Sequence, residues 1–275
     1  MKNNIVAIMY DFDKTLSVKD TLEYSFIPNL NLGVDEFWEE TDEIRTKFKT
    51  DQVLGYMYMV RKKMLDNNMK LSREYLNEMG KEIEFFPGVL DWFDRINEYG
   101  KSLGLEVEHY IISAGLKELI DGSKVGDKFK CVFASEYMYD ENGEAIWPNI
   151  AINSTNKTQF LTRINKGILD ISDDGFNKKM LSEDKRVLTT NMIYLGDGFT
   201  DIPCMQLTKD RGGVSIAVYT KNNYDVVKKM HNDGRINYAA LADYSDGGRI
   251  DTIIKNELKK MAITNNLQAM MEDVK

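Results

Sequence analysis

The chain has 275 residues, 43% hydrophobic and 29% charged, with four prolines and a formal net charge of −8. This is the composition of one large globular domain, or of one domain carrying a smaller module, without a long flexible linker. The acidic balance argues against a nucleic-acid polymer as partner, and no window approaches the eighteen apolar residues of a membrane span.

The N-terminal MKNNIVAIMYDFD holds one lysine and a short apolar run broken by Asp11. It reads as a buried strand, Ile5–Tyr10, and not as a secretory signal. Asp11 and Asp13 close that strand with one Phe between them. Like charges this close repel, so either a cation neutralises them or they sit on a solvated loop. From Asp20 to Glu84 no buried strand is legible. DEFWEETDEIRTKFK, TDQVLGYMYMVRKKMLD and SREYLNEMGKEI carry helical apolar spacing, and FFPG ends the run. The pattern predicts an all-helical insert over residues 19–85, with residues 1–18 and 86–275 forming the main body. Tyr24, Phe26, Phe37, Trp38, Tyr56, Met57, Tyr58 and Met59 are expected to form mainly the insert's own core. Arg61, Lys62 and Lys63 read as a solvated face.

Gly88–Gly104 places Leu90, Phe93, Ile96 and Tyr99 at helical spacing, and Val107–Ser113 is a second buried strand ending in ISAG. In KCVFASEYMYDENGEAIWPNIAIN, apolar runs flank the turn DENGEA, the mark of a β-hairpin. NKTQFLTRINKG reads as a helix with Asn156 as N-cap and its end near Gly167. Asp170–Val187 is polar and unpatterned, a surface connection. Met192–Leu195 and Val214–Val218 are further strands, and KNNYDVVKKM and GGRIDTIIKNELKKM further helices. The alternation predicts right-handed βαβ units in an α/β, doubly wound parallel sheet covered on both faces. Cys131 and Cys204 lack CxxC spacing, so free thiols in a reducing cytoplasm are expected. His109 and His231 are too few for a histidine-rich zinc site.

Ligands of such a sheet sit beyond the carboxyl ends of its strands. Asp11 and Asp13, then Ser113 and Gly115, then Asp197 and Asp201 in LGDGFTD all follow strands. Each alone has a plain reading: a solvated loop for the first pair, a helix cap for Ser113, a surface lysine for Lys157, turn residues for Asp197 and Asp201. Their arrival at one sheet edge, together with Lys157 at a helix start, marks a candidate site.

These residues resemble the four motifs of the haloacid dehalogenase-like (HAD) hydrolases, in their phosphatase branch. The DxDx[TV] motif is similar to Asp11-Phe12-Asp13-Lys14-Thr15. The second-strand Ser is Ser113 in YIISAG. The motif lysine is Lys157 in STNKTQFL, with Lys166 near the other end of that helix as the alternative. The acidic pair is Asp197 and Asp201 in GDGFTD. The helical insert resembles the C1-type cap of members near the phosphoserine phosphatases and 5'-nucleotidases, over a Rossmann-like core with a small β-hairpin.

The resemblance implies a Mg²⁺-dependent hydrolase of a small phosphorylated metabolite. It gives Asp11 as nucleophile, Asp13 as acid and base, and Ser113, Gly115 and Lys157 on the phosphate. Thr15 would position Asp13 or its loop, and Asp201 would orient Lys157 or a metal-bound water. Mg²⁺ would be held by the Asp11 and Asp197 carboxylates and the Asp13 carbonyl. Dehalogenases of the family lack an acid at the Asp13 position and P-type pumps carry Thr there, so Asp13 points to a phosphatase or a phosphomutase. A non-enzymatic metal- or phosphate-binding regulator is the reading from another class.

Overall fold

The computed structural model describes residues 4–181 and 184–272. The first strand, β1 (Ile5–Tyr10), is apolar on both faces and lies at the centre of a seven-stranded sheet. The other strands are β2 (Glu106–Leu116), β3 (Cys131–Tyr139), β4 (Ala145–Ile150), β5 (Met192–Gly196), β6 (Val214–Tyr219) and β7 (Tyr238–Leu241). Their spatial order is β4-β3-β2-β1-β5-β6-β7, and every neighbouring pair is parallel except β3 with β4. Tyr10 pairs with Ile111 of β2 and with Leu195 of β5, so the chain segments following these three strands emerge side by side.

Helices cover both faces. The period of two along β1 sends Val6, Ile8 and Tyr10 to one side and Ala7 and Met9 to the other. The first side packs on α5 (Val89–Ser102) through Trp92, Phe93 and Ile96. It also packs on α10 (Arg249–Glu272) through Ile250, Ile254 and Leu258. The second side packs on α7 (Thr158–Lys166), α8 (Ile202–Asp210) and α9 (Tyr224–Asn232). A short helix, α6 (Lys117–Asp121), follows β2 directly.

Between β1 and α5 lie α1 (Phe26–Asn29), α2 (Val34–Phe48), α3 (Gln52–Asp66) and α4 (Arg73–Gly80). The chain enters and leaves this segment side by side. Ser17 bridges Phe85, Val18 N donates to Glu84 O at 3.1 Å, and Phe86 N donates to Leu16 O at 3.0 Å. Gly88 follows with φ +77°, and a Cβ there would lie 2.3 Å from Ser245 N, so glycine alone fits this corner. As expected, the insert's aromatic residues pack on one another, Phe26 on Phe37, Phe37 on Trp38 and Trp38 on Tyr56. Phe26, Phe37, Tyr56, Met57 and Met59 belong to the same apolar cluster as Val6, Ile8 and Trp92. The core of the insert is thus continuous with the core on that face of the sheet. The insert's α4 meets α6 backbone to backbone. A Cβ on Gly80 would lie 2.2 Å from Leu119 O, and one on Gly122 would lie 2.0 Å from Asn77 O.

Four further features differ from the sequence reading or add to it. β2 runs on to Leu116 with a shift of register after Ile112. β7 and α8 form where no element is predicted. The N-cap of α7 is Lys157, without a side-chain cap bond, and not Asn156; Asn156 lies in the preceding turn, where Asn153 Oδ1 accepts from Thr155 N at 2.9 Å and Asn156 N at 3.2 Å. The described part of the 170–187 connection is largely exposed and includes a 3-10 turn at Asp174–Asn177. Cys131 and Cys204 are free thiols. No helix among the described residues is long and apolar enough to cross a membrane.

Behind the sheet edge, a buried polar chain crosses the core. Trp92 Nε1 donates to Tyr10 Oη at 2.8 Å, Tyr10 Oη meets His109 Nδ1 at 2.9 Å, and His109 Nε2 meets Asn97 Oδ1 at 3.1 Å. A neutral imidazole protonated on Nε2 satisfies every group in this chain. Burial pushes the His109 pKa down to about 3. The unfolded chain therefore binds a proton near pH 6.5 that the folded chain refuses. The His109 contribution to stability is complete above that pH and is lost as the pH falls towards 3, at up to about 1.4 kcal/mol per pH unit. Denaturant unfolding of the wild type and His109→Gln should show a stability gap that narrows from pH 7 to pH 4.5. Parallel pH profiles would refute the assignment.

Candidate active site

The carboxyl ends of β1, β2 and β5 open into a cleft of about 470 Å³. Its floor is Asp11, Asp13, Ala114, Gly115, Lys157, Asp197 and Gly198. Its roof comes from the insert, with Leu22, Trp38, Asp51, Val53 and Tyr56. Tyr56 Oη donates to Ala114 O at 2.5 Å and Asn153 Nδ2 donates to Asp51 Oδ2 at 2.9 Å, so two polar bonds tie roof to floor.

Asp11 continues β1, its N–H donating to Leu195 O at 2.9 Å. Lys157, on the turn entering α7, is 1% exposed and donates to Asp11 Oδ1 and Asp201 Oδ1, each at 2.8 Å. Tyr194 Oη donates to the same Asp201 oxygen at 2.8 Å. The other oxygen, Asp201 Oδ2, is buried with no hydrogen-bond partner. The carboxylate oxygens of Asp11, Asp197 and Asp201 lie within 4.8 Å of one another.

Asp13 points into the cleft with Oδ1 accepting from Thr21 N at 2.7 Å. Thr15 does not supply that bond. Its hydroxyl is buried without a partner, while its carbonyl accepts from Tyr244 Oη at 2.9 Å and anchors the loop. The left-handed backbone at Lys14, φ +58°, turns the loop between them, and Lys14 pairs with Asp20 at 2.5 Å. Opposite, Gly115 N donates to Ser113 Oγ at 3.0 Å. A Cβ on Gly115 would lie 2.7 Å from Asp13 Oδ2, so a side chain there would displace that carboxylate.

The charges are strongly perturbed. Burial, then repulsion from Asp201, pushes Asp11 up to about 7, against the pull of Lys157. Burial, then Asp201 and Asp11, pushes Asp197 up to about 8. Asp13 lies well above the usual carboxylate range through burial, then Asp20 and Asp11. Burial alone would lower Lys157, but Asp11 and Asp201 more than offset it and hold the ammonium charged. One lysine thus faces three clustered carboxylates, which need more positive charge to be ionised together.

Every sequence-predicted site residue except Lys166 reaches this edge. Lys166 sits at the far end of α7, donating to Phe176 O and Lys178 O, so Lys157 is the lysine of the site. Arg61, Lys62 and Lys63 bond Ala145 O, Asp66 and Glu40 and do not line the cleft. Three contributors were missed. Tyr194 carries a signal, since it precedes Gly196 by two residues on a buried strand. The Thr21 amide and the Asp51–Asn153 bond carry none, because they depend on how the insert docks.

No family model matches the chain. An uncharacterized protein of Borreliella burgdorferi is 24% identical over 279 residues, covering 90% of this chain and 95% of that protein. Among solved structures, a HAD family hydrolase from Salmonella enterica serovar Typhi is similar at a TM-score of 0.60 and 18% identity, over 92% of this chain and 71% of its own. A phosphoserine phosphatase solved as a phospho-aspartyl intermediate analogue gives a TM-score of 0.53 at 15% identity, over 86% of this chain and 93% of its own. The chain has the fold of the HAD-like hydrolases.

Proposed function

We propose that this protein is a Mg²⁺-dependent phosphomonoester hydrolase working through an aspartyl-phosphate on Asp11. The observation that carries the reading is Lys157, buried and bonded at 2.8 Å to both Asp11 and Asp201, with Asp13 held separately on Thr21 N at the cleft wall. Lys157 fixes the Asp11 rotamer and offsets charge between nucleophile and phosphate. Asp201, bonded by Tyr194, fixes Lys157.

The donor set fits a hard divalent cation, since the clustered groups are all oxygen ligands and one buried Asp201 oxygen lacks a partner. The Asp11 and Asp197 carboxylates and the Asp13 carbonyl would hold Mg²⁺, which supplies neutralising charge. An Asp11 oxygen attacks phosphorus as the ester P–O bond breaks. Asp13, whose carboxyl burial raises above the usual carboxylate range, gives its proton to the departing oxygen. Asp13 then takes a proton from the water that attacks the phosphoryl group, and the Asp11 carboxylate and inorganic phosphate are released. Ser113, the Gly115 amide and the loop amides from Asp11 to Asp13 bind phosphoryl oxygens. The helical insert acts as a cap that excludes water.

With p-nitrophenyl phosphate, hydrolysis should vanish in EDTA, return with Mg²⁺ and fall when Ca²⁺ is added, because the looser shell of Ca²⁺ displaces the nucleophile. EDTA-insensitive hydrolysis would contradict the metal, and no hydrolysis with Mg²⁺ would contradict the enzyme.

A further inference from the structure

The roof of the cleft bears on what leaves with the phosphate. Its side chains are Leu22, Trp38, Val53 and Tyr56, with the carboxylate of Asp51 beside them and Asp20 at the mouth. Among the described residues, Lys14 and Lys157 are the cations lining the cleft, and both are engaged. Lys14 pairs with Asp20, and Lys157 with Asp11 and Asp201. Among the described residues no Arg or further Lys lines the roof to meet a second anionic group.

Asp51 also closes the other route to an anion. It is the N-cap of α3, with Oδ1 accepting from Val53 N at 2.9 Å and Leu54 N at 3.2 Å. The amides and positive dipole end that would attract a carboxylate or a second phosphate are thus occupied by a fixed negative charge. Asp51 Oδ2 accepts from neutral Asn153, and no cation among the described residues pairs with Asp51. The neighbouring Trp38 is partly buried, its ring 6.4 Å from that of Tyr56 at 75°. A negative charge beside indole and phenol rings is an environment for an alkylammonium group.

We propose that the substrate is an alkyl phosphate whose leaving group carries a positive charge, recognised by Asp51, Trp38 and Tyr56. This rests on the phosphatase reading above and names its substrate class. The dianionic phosphate takes the Lys157 end of the cleft and the cationic group takes the roof. Esters bearing a second anion meet the negative charge of Asp51 with no roof cation to offset it, and are rejected.

Phosphocholine and 3,3-dimethylbutyl phosphate are nearly isosteric and differ in that charge, and phosphoglycolate carries the opposite one. Phosphate release by the full-length, Mg²⁺-supplied protein should give phosphocholine a kcat/KM about tenfold above its neutral isostere. Phosphoglycolate should be the poorest of the three. Asp51→Asn keeps a capping side chain and should lower the phosphocholine-to-dimethylbutyl ratio several-fold, a ratio measured within one protein sample and therefore independent of the folded fraction. Equal or inverted preference in the wild type, or an unchanged ratio in the variant, overturns the proposal. With p-nitrophenyl phosphate run alongside, its hydrolysis without a cation preference sinks the substrate class alone. Its failure to hydrolyse sinks the phosphatase reading and this one with it.

Discussion

Asp11→Asn is expected to fold as the wild type does and to turn over no phosphomonoester, a loss of at least about 10⁴-fold. The amide matches the carboxylate in shape but does not attack phosphorus. The fold survives because the main-chain bond from residue 11 to Leu195 O is untouched and Lys157 keeps Asp201 as its anionic partner. The substitution also removes one of the carboxylates that push Asp197 upward, so apo-protein stability should not fall near neutral pH. Acid quenching of the wild type during turnover should trap an acyl phosphate labile to hydroxylamine, and the variant should trap none. Retained turnover in a rigorously pure variant would remove Asp11 from the role.

Asp13→Asn should produce a different failure. Asp13 is assigned the acid in the first step and the base in the second, and such assistance is typically worth roughly 10²–10⁴-fold. An alkyl phosphate needs a proton on its departing oxygen, whereas p-nitrophenolate leaves as a stable anion. Formation of the aspartyl-phosphate should therefore slow by about that factor with an alkyl ester and far less with p-nitrophenyl phosphate. Its hydrolysis should be slow with either. Stopped-flow mixing with p-nitrophenyl phosphate should show a nitrophenolate burst near one per site, then a slow steady rate. Equal slowing of both esters with no burst would leave Asp13 as a shaper of the metal site. Asp201 would be a poor substitute, since it lies buried behind Lys157 with both neighbours already bonded to it.

The parts of the fold legible in the sequence are those whose local pattern and tertiary role agree. β1 is a continuous apolar run and β6 is broken only by Ser215 because both faces are covered, and the DENGEA turn falls where β3 ends at Tyr139 and β4 begins at Ala145. β7 escaped because it is four residues long, Tyr238–Leu241, and two of them are alanines that any element accepts. Asn156 is not the N-cap of α7 because a turn from Asn153 to Lys157 precedes the helix, which residue type alone does not reveal. At the site, residues on strand ends were readable, since sheet register alone carries Asp11, Ser113 and Asp197 to one edge. The Asp13 partner was not. Thr15 is near in sequence and has a hydroxyl, yet the bond comes from the main chain of Thr21, placed by the docked insert.

The contact between α4 and α6 gives the site a mechanical tolerance. Gly80 and Gly122 let the two helices touch through main-chain atoms that have no rotamer with which to yield. A single methyl group on either would part the helices by about an ångström, the gap between the 2.0–2.2 Å approaches and an ordinary contact. The displacement has a short path to the chemistry. Met79, beside Gly80, accepts from Ser25 Oγ at 2.9 Å, and Ser25 follows closely on Thr21, whose amide holds Asp13. Misplacement of a reacting group by about that distance can cost on the order of 10²-fold in rate. Two hydrogen atoms at the seam between α4 and α6 thus act as a gauge block for the acid, setting its position as firmly as any side chain inside the cleft.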